Sequence, residues 1–204
     1  MIMPTSPLGP LGVRRGLLPA RCELVRLADG STAVLKDFSA FEDPIRRALG
    51  RIAARREQRA YERLQDLKGV PRLLSAHDRP ALLLEWIDAR PLTERPPIVD
   101  PGVFVAALED LLGQIHARGV SHGEVRLAHV LADSGGRPWL VDFATATVTD
   151  VRQPSTLYRL QRRLDRYGWL LIKQRLLPGA LTTRELEEQR RDRALAFLFR
   201  HGTI

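Results

Sequence analysis

SHGEVRLAHVL, residues 121–131, packs two histidines, an acid and an arginine into a short stretch that turns apolar at its end. Glu124 follows His122 across a glycine, Arg126 stands two places further on, and His129 comes five places after the acid. Upstream, Asp100-Pro101 supplies an N-cap and a proline at the first helical position. The apolar set Phe104, Val105, Leu108, Leu111, Leu112 and Ile115 then keeps helical spacing to about Gly119. Downstream, HVLAD, a Gly135-Gly136 turn and PWLVDF read as two strands that deliver Asp142 to the end of a buried apolar run. An acid in that position usually meets a cation, a helix end or a metal. The stretch is therefore a polar loop held between a helix and a hairpin.

Further out, CELVRL, an Asp29-Gly30 turn and TAVLKDF predict a strand pair within residues 17–38. Asp43-Pro44 starts a helix expected to run to about Lys68, before Gly69 and Pro71. RLLSAHDRPALLLEWI predicts two more strands around a turn at His77–Pro80. The Pro-rich segment ARPLTERPPIVDPG suits a connection. After Ser155 the chain reads as helical, with apolar Leu157, Leu160, Leu164, Leu171 and Ile172. A break at Pro178-Gly179 precedes a last helix whose Thr182 and Glu185 match a capping box. The expected organisation is a flexible leader over 1–16, a strand-rich lobe over 17–87, a connection over 88–99 and a mainly helical lobe over 100–204. The fold class is α+β.

The 204 residues suffice for one sizeable core or two small lobes, and 44% hydrophobic with 27% charged residues indicates a globular chain. No apolar run approaches the roughly 20 residues of a spanning helix. Residues 1–16 are broken by Pro and Gly and lack the apolar segment of a signal peptide. The single Cys22 excludes an internal disulfide and any CxxC metal site, and a reducing cytoplasm fits best. The net charge of +8 points to an anionic partner: a nucleotide, a phospholipid headgroup, lipopolysaccharide or nucleic acid. Of 32 basic residues, only Lys36, Lys68 and Lys173 are lysines, so a lysine kept at position 36 stands out.

Lys36 ends the apolar strand AVLK. Glu57 shares a helix face with Ala53, Ala60, Tyr61 and Leu64, so it must point inward and needs a cationic partner to offset desolvation. Lys36 is the candidate. His116, His122 and His129 lie on a helix, at its exit and in a loop, with no regular pairing, which argues against zinc. His122 is expected to brace the loop through the backbone near Asp142. Arg46, Arg47, Arg51, Arg55, Arg56, Arg59 and Arg63 line the first helix, mostly as a solvated face.

A strand Lys, a helix Glu, HGEVRLAHVL and WLVDFATA, in this order, resemble the protein-kinase-like superfamily over about residues 17–150. Within it the chain resembles the small bacterial lipopolysaccharide core kinases, which act on Kdo and heptose sugars, and the RIO-like kinases. The resemblance implies a two-lobed fold binding ATP with Mg²⁺ or Mn²⁺. Lys36 would anchor phosphates, Glu57 would orient it, and the backbone at Glu85, Trp86 and Ile87 would contact adenine. Glu124 falls where the family has its catalytic Asp, and Asp142 at the metal-binding DFG position. His129 falls where the family has a metal-binding Asn; imidazole suits Mn²⁺ better than Mg²⁺. Residues 17–22 fall at the phosphate-covering loop and lack glycine, leaving Arg21 to supply charge; Arg126 takes the basic position after the catalytic acid.

Two functions lead on these residues, ahead of a weaker third, a basic nucleic-acid-associated module as in RIO-like proteins. One is an ATP-dependent kinase acting on a sugar or lipopolysaccharide-related hydroxyl or a protein Ser/Thr. The other is a pseudokinase, binding or scaffolding without efficient transfer. Cytoplasmic placement, with association at the inner-membrane surface as an option, goes with both, and nucleic acid is not favoured as a partner.

Overall fold

A computed structural model describes residues 4–13, 20–39, 43–76 and 80–201. The expected phosphate-covering segment at 17–19 and the turn at 77–79 lie outside the described residues. Contacts divide the chain into two compact units, Met1–Ile87 and Asp88–Ile204.

Among the described residues, the first unit is an antiparallel five-stranded sheet with one helix. Its elements are β1 (Pro4–Val13), β2 (Arg21–Leu27), β3 (Thr32–Asp37), α1 (Pro44–Arg63), β4 (Leu73–Ala76) and β5 (Ala81–Glu85), with sheet order β1-β2-β3-β5-β4. The β2–β3 turn forms because Gly30 takes φ +83° while Asp29 Oδ1 accepts from the Ser31 amide at 2.9 Å. Period-2 alternation puts Val25, Leu27, Ala33, Leu35, Ala81 and Leu83 into one core cluster. Lys36, at the opposite parity, belongs to the other face.

Two boundaries differ from expectation. Pro4–Val13, read from composition as part of a leader, is paired as edge strand β1, with register shifts after Pro4, Pro7 and Pro10. An edge strand with bulges is where prolines, having no N–H to donate, are tolerated. Helix α1 stops at Arg63 rather than near Lys68: Asp66 takes φ +71°, and Leu67 and Val70 donate to carbonyls three residues back.

The second unit contains β6 (Ala89–Pro91), α2 (Pro101–Ala117), β7 (Val120–Ser121), β8 (Val130–Asp133), β9 (Pro138–Leu140), β10 (Thr147–Val148), α3 (Thr156–Leu176) and α4 (Thr183–His201). Asp100 caps α2, its Oδ1 accepting from the Gly102 and Val103 amides. Within the connecting segment, Ala89–Pro91 adds a strand beside β8, giving the sheet β6-β8-β9. Strand β9 ends at Leu140, two residues before Asp142. The core is built on Phe104, Leu108, Ile115, Leu140, Phe143, Trp169 and Leu170, all fully buried.

The capping box forms as the sequence predicts: Glu185 Oε2 accepts from the Thr182 amide at 2.8 Å and Thr182 Oγ1 accepts from the Glu185 amide. Lys173 Nζ sits 2.7 Å from Glu185 Oε1. Burial pushes this carboxyl up, but the bonds from Lys173 and Thr182 outweigh it and hold it below its ordinary 4.5. A depressed folded value means stability is present above the unfolded value and lost as pH falls through the folded one. Thermal melts from about pH 7 down to about pH 3 are therefore expected to show wild type losing its advantage over Glu185→Gln below about pH 4.5, with the two curves converging in acid.

Candidate active site

In the first unit, Lys36 and Glu57 form a buried pair, with Nζ 2.9 Å from Oε1 and 2.7 Å from Oε2. Their side chains are 7% and 0% exposed, so the ammonium and carboxylate are taken out of water together. The approach is close because Gly50, Ala53, Ala54 and Ala60 make the inner face of α1 thin. A Cβ on Gly50 would stand 2.5 Å from the Phe38 carbonyl oxygen. Glu62 points outward and accepts from Gln58. Arg21 begins β2, exposed and paired with Glu23 at 2.6 Å. Glu85 ends β5, its amide donating to the Arg72 carbonyl and its carboxylate taking the Arg72 guanidinium at 3.3 Å. Trp86 and Ile87 follow, partly buried.

In the second unit, the loop after β7 carries Glu124, Arg126 and His129, and the segment after β9 brings Asp142 to His129. His122 is fully buried. Its Nδ1 accepts from the Glu124 amide, which can only donate, so Nε2 carries the proton given to the Val141 carbonyl at 3.0 Å. The same logic fixes His129. Arg126 can only donate, to Nε2 at 3.1 Å, and the Glu124 carbonyl can only accept, from Nδ1 at 2.9 Å. Asp142 Oδ2 lies 3.4 Å from the same Nε2, so the carboxylate and the Arg126 guanidinium meet at one edge of the imidazole. The Glu124 carbonyl behind the imidazole fixes the ring's orientation at this edge. Glu124 is 43% exposed and pairs with Arg126 at 3.2 Å. Asp142 takes φ +74°, a left-handed conformation that costs a non-glycine residue about 1 kcal/mol or more and that collects at functional sites.

Sequence reasoning missed the residues that hold this loop. Asp165, fully buried on α3, accepts from the Gly123 amide at 2.7 Å and the His122 amide at 2.9 Å. His116 Nε2 lies 2.8 Å from the same carboxylate. Gln161 accepts from Ser121 Oγ and donates to the Thr145 carbonyl, and Thr145 Oγ1 donates to the His122 carbonyl. Glycines permit the contact: Gly123 takes φ +82°, and a Cβ on Gly168 would stand 2.2 Å from the Val125 carbonyl oxygen.

These two units, a sheet with a buried Lys–Glu pair followed by a helical part with this loop and hairpin, define a protein-kinase-like fold. Solved structures bear this out. The Rio2 kinase of Chaetomium thermophilum, both in an ADP/Mg²⁺-phosphoaspartate complex and in a second structure, matches with a TM-score of 0.68 over 92% of this chain at 17% identity. The match covers 61% and 63% of those chains.

Among curated proteins, the chain is 33% identical over 98 residues to the 3-deoxy-D-manno-octulosonic acid kinase of Xanthomonas axonopodis pv. citri. It is 31% identical over 114 residues to the protein of that name from Stenotrophomonas maltophilia. These matches take in 48% and 52% of this chain but span only 38% and 44% of the relatives' lengths. No protein-family model matches.

Proposed function

We propose that the chain is an ATP-dependent phosphotransferase whose acceptor is a hydroxyl of a sugar of the lipopolysaccharide type. The observation that carries this reading is the buried Lys36–Glu57 pair. Burying two charges rarely stabilises a fold relative to apolar packing, so its retention in a thin-faced helix is best explained by a job for the ammonium. The likeness to proteins named 3-deoxy-D-manno-octulosonic acid kinase supports a sugar acceptor. The ADP and Mg²⁺ in the Rio2 kinase complex support a nucleotide with a divalent ion.

On this reading Lys36 holds nucleotide phosphates, and Glu57 keeps its ammonium charged and aimed. Asp142 offers a carboxylate to a divalent cation, and His129 would add its Nε2 once Arg126 turns away, an imidazole that favours Mn²⁺ over Mg²⁺. A bound ion there would offset phosphate charge. Glu124 accepts the proton of the acceptor hydroxyl or orients it, and Arg126 sets the direction of that carboxylate. The Glu85–Ile87 backbone takes the adenine edge through Trp86 and Ile87, since the Glu85 amide is already bonded to Arg72. Arg21 supplies charge near the phosphates. None of the described helices is long and apolar enough to cross a membrane; a cytoplasmic location with peripheral contact to a membrane would serve a lipid-linked sugar.

Calorimetric titration with ATP in Mg²⁺, in Mn²⁺ and without metal tests this. Wild type is expected to bind ATP in a metal-dependent way, more tightly with Mn²⁺. Asp142→Asn is expected to lose the metal dependence while remaining folded, because asparagine tolerates the left-handed backbone at 142 at least as well. Metal-independent binding would favour the pseudokinase. No binding by folded protein would remove the enzyme reading.

A further inference from the structure

We propose that the groove between α2, α3 and α4 binds a phosphate-bearing polyanion, at a place that shares no residue with the nucleotide and metal positions assigned above. The groove has a volume of about 600 Å³, the size of a small-ligand site, and six guanidinium groups line it: Arg159, Arg162, Arg163, Arg166, Arg184 and Arg191.

Helical periodicity creates this concentration of charge. Arg159, Arg162, Arg163 and Arg166 are spaced by three, four and seven residues and share one stripe of α3. Arg184 and Arg191 share the facing stripe of α4. Like charges at these spacings repel, by about 0.2–0.5 kcal/mol per pair, so the stripe opposes the helix that carries it.

The lining acids do not neutralise it. Glu109 pairs with Arg166, Glu188 with Arg166 and Arg184, and Asp192 with Arg163 and Arg191. Burial raises the Asp192 carboxyl, but the bonds from Arg163 and Arg191 prevail and hold it below its ordinary value, so it is already ionised and counted. Among the described residues, Arg159 and Arg162 have no carboxylate partner, and the groove keeps more cations than anions. Planar guanidinium forks are the side chains best matched to phosphate oxygens. Trp169, stacked under Arg166 at 4.2 Å, forms part of the lining.

The source of the phosphate, a soluble metabolite or a lipid headgroup, is separated by two probes. Inorganic pyrophosphate is titrated without metal, read by calorimetry and by the indole resonance of Trp169. Phosphatidylcholine vesicles with and without phosphatidic acid are tested by co-sedimentation. Binding of one probe or both is expected, at least about tenfold weaker in Arg159→Gln/Arg162→Gln, which loses two charged hydrogen-bonding groups.

Both arginines are exposed, so this variant should melt as wild type does and keep ATP binding. Pyrophosphate alone would assign a soluble ligand, and phosphatidate vesicles alone a lipid phosphate. The proposal is overturned if folded wild type binds neither probe, or if the double variant binds as tightly. It is overturned equally if pyrophosphate binding disappears in Lys36→Met but persists in the arginine variant, which would place the anion at the nucleotide position.

Discussion

Glu57→Ala is expected to lower the stability of the chain by about 3–5 kcal/mol, the cost of leaving one member of a buried ion pair without the other. For a chain of this size that corresponds to a fall in melting temperature of about 6–20 °C. Lys36→Met alone should cost a similar amount, because it strands the carboxylate of a fully buried Glu57. The double variant Lys36→Met/Glu57→Leu is the informative one. Replacing both charges with apolar groups of similar volume removes the attraction and the desolvation together, so most of the stability should return. Nucleotide binding should not return with it. Thermal melts and ATP calorimetry on the three variants therefore separate a structural pair from a functional one. A double variant that is both stable and competent in ATP binding would deny Lys36 its proposed role.

That pair was legible in the sequence because two independent periodicities intersect at it. A charge at the end of an apolar strand and a charge on the apolar face of a helix each carry a desolvation cost that demands a partner, and the chain offers each as the answer to the other. Spacing singled out Glu124, His129 and Asp142, and His129 and Asp142 do lie side by side. The tautomer of His129 was not, since it follows from Arg126 and the Glu124 carbonyl folding onto opposite nitrogens.

Helix α3 was read in part: Leu164 and Ile172 of its apolar set are buried. Leu157, from the same set, is 42% exposed. The deep face joins Leu164 and Ile172 to Tyr158, Gln161, Asp165 and Gly168. Its polar members serve the backbone of the loop rather than the core, and apolar counting cannot see them. A usable signal was present, because Asp165, Gly168, Trp169 and Ile172 keep helical spacing, and a glycine on an inward stripe marks close backbone approach. Strands β1 and β6 gave no local signal: one is masked by prolines, and the other is defined only by pairing with a strand about 40 residues away.

Asp165→Ala is expected to release the loop that Asp165 holds. Its two oxygens take the amides of His122 and Gly123, and both are turned inward by the left-handed Gly123. Without the carboxylate each amide loses its acceptor away from water, at about 1–3 kcal/mol apiece, and His116 loses its partner as well. The total, about 2–6 kcal/mol, should be concentrated in the second unit.

Amide hydrogen exchange distinguishes this from general softening. Protection at His122, Gly123 and the neighbouring loop should collapse, while the β2–β3 and β3–β5 amides keep theirs. Asp165→Asn should fall between the two, because one oxygen still accepts an amide while the new NH₂ group opposes the other. Metal-dependent ATP binding should weaken in the same order, since Glu124 and the carbonyl that fixes His129 hang from the same turn. If exchange rises equally in both units, Asp165 is a core residue and not the anchor of the loop. If the loop loosens while ATP binding holds, His129 and Asp142 are placed without it, by Arg126 and the β8–β9 hairpin alone.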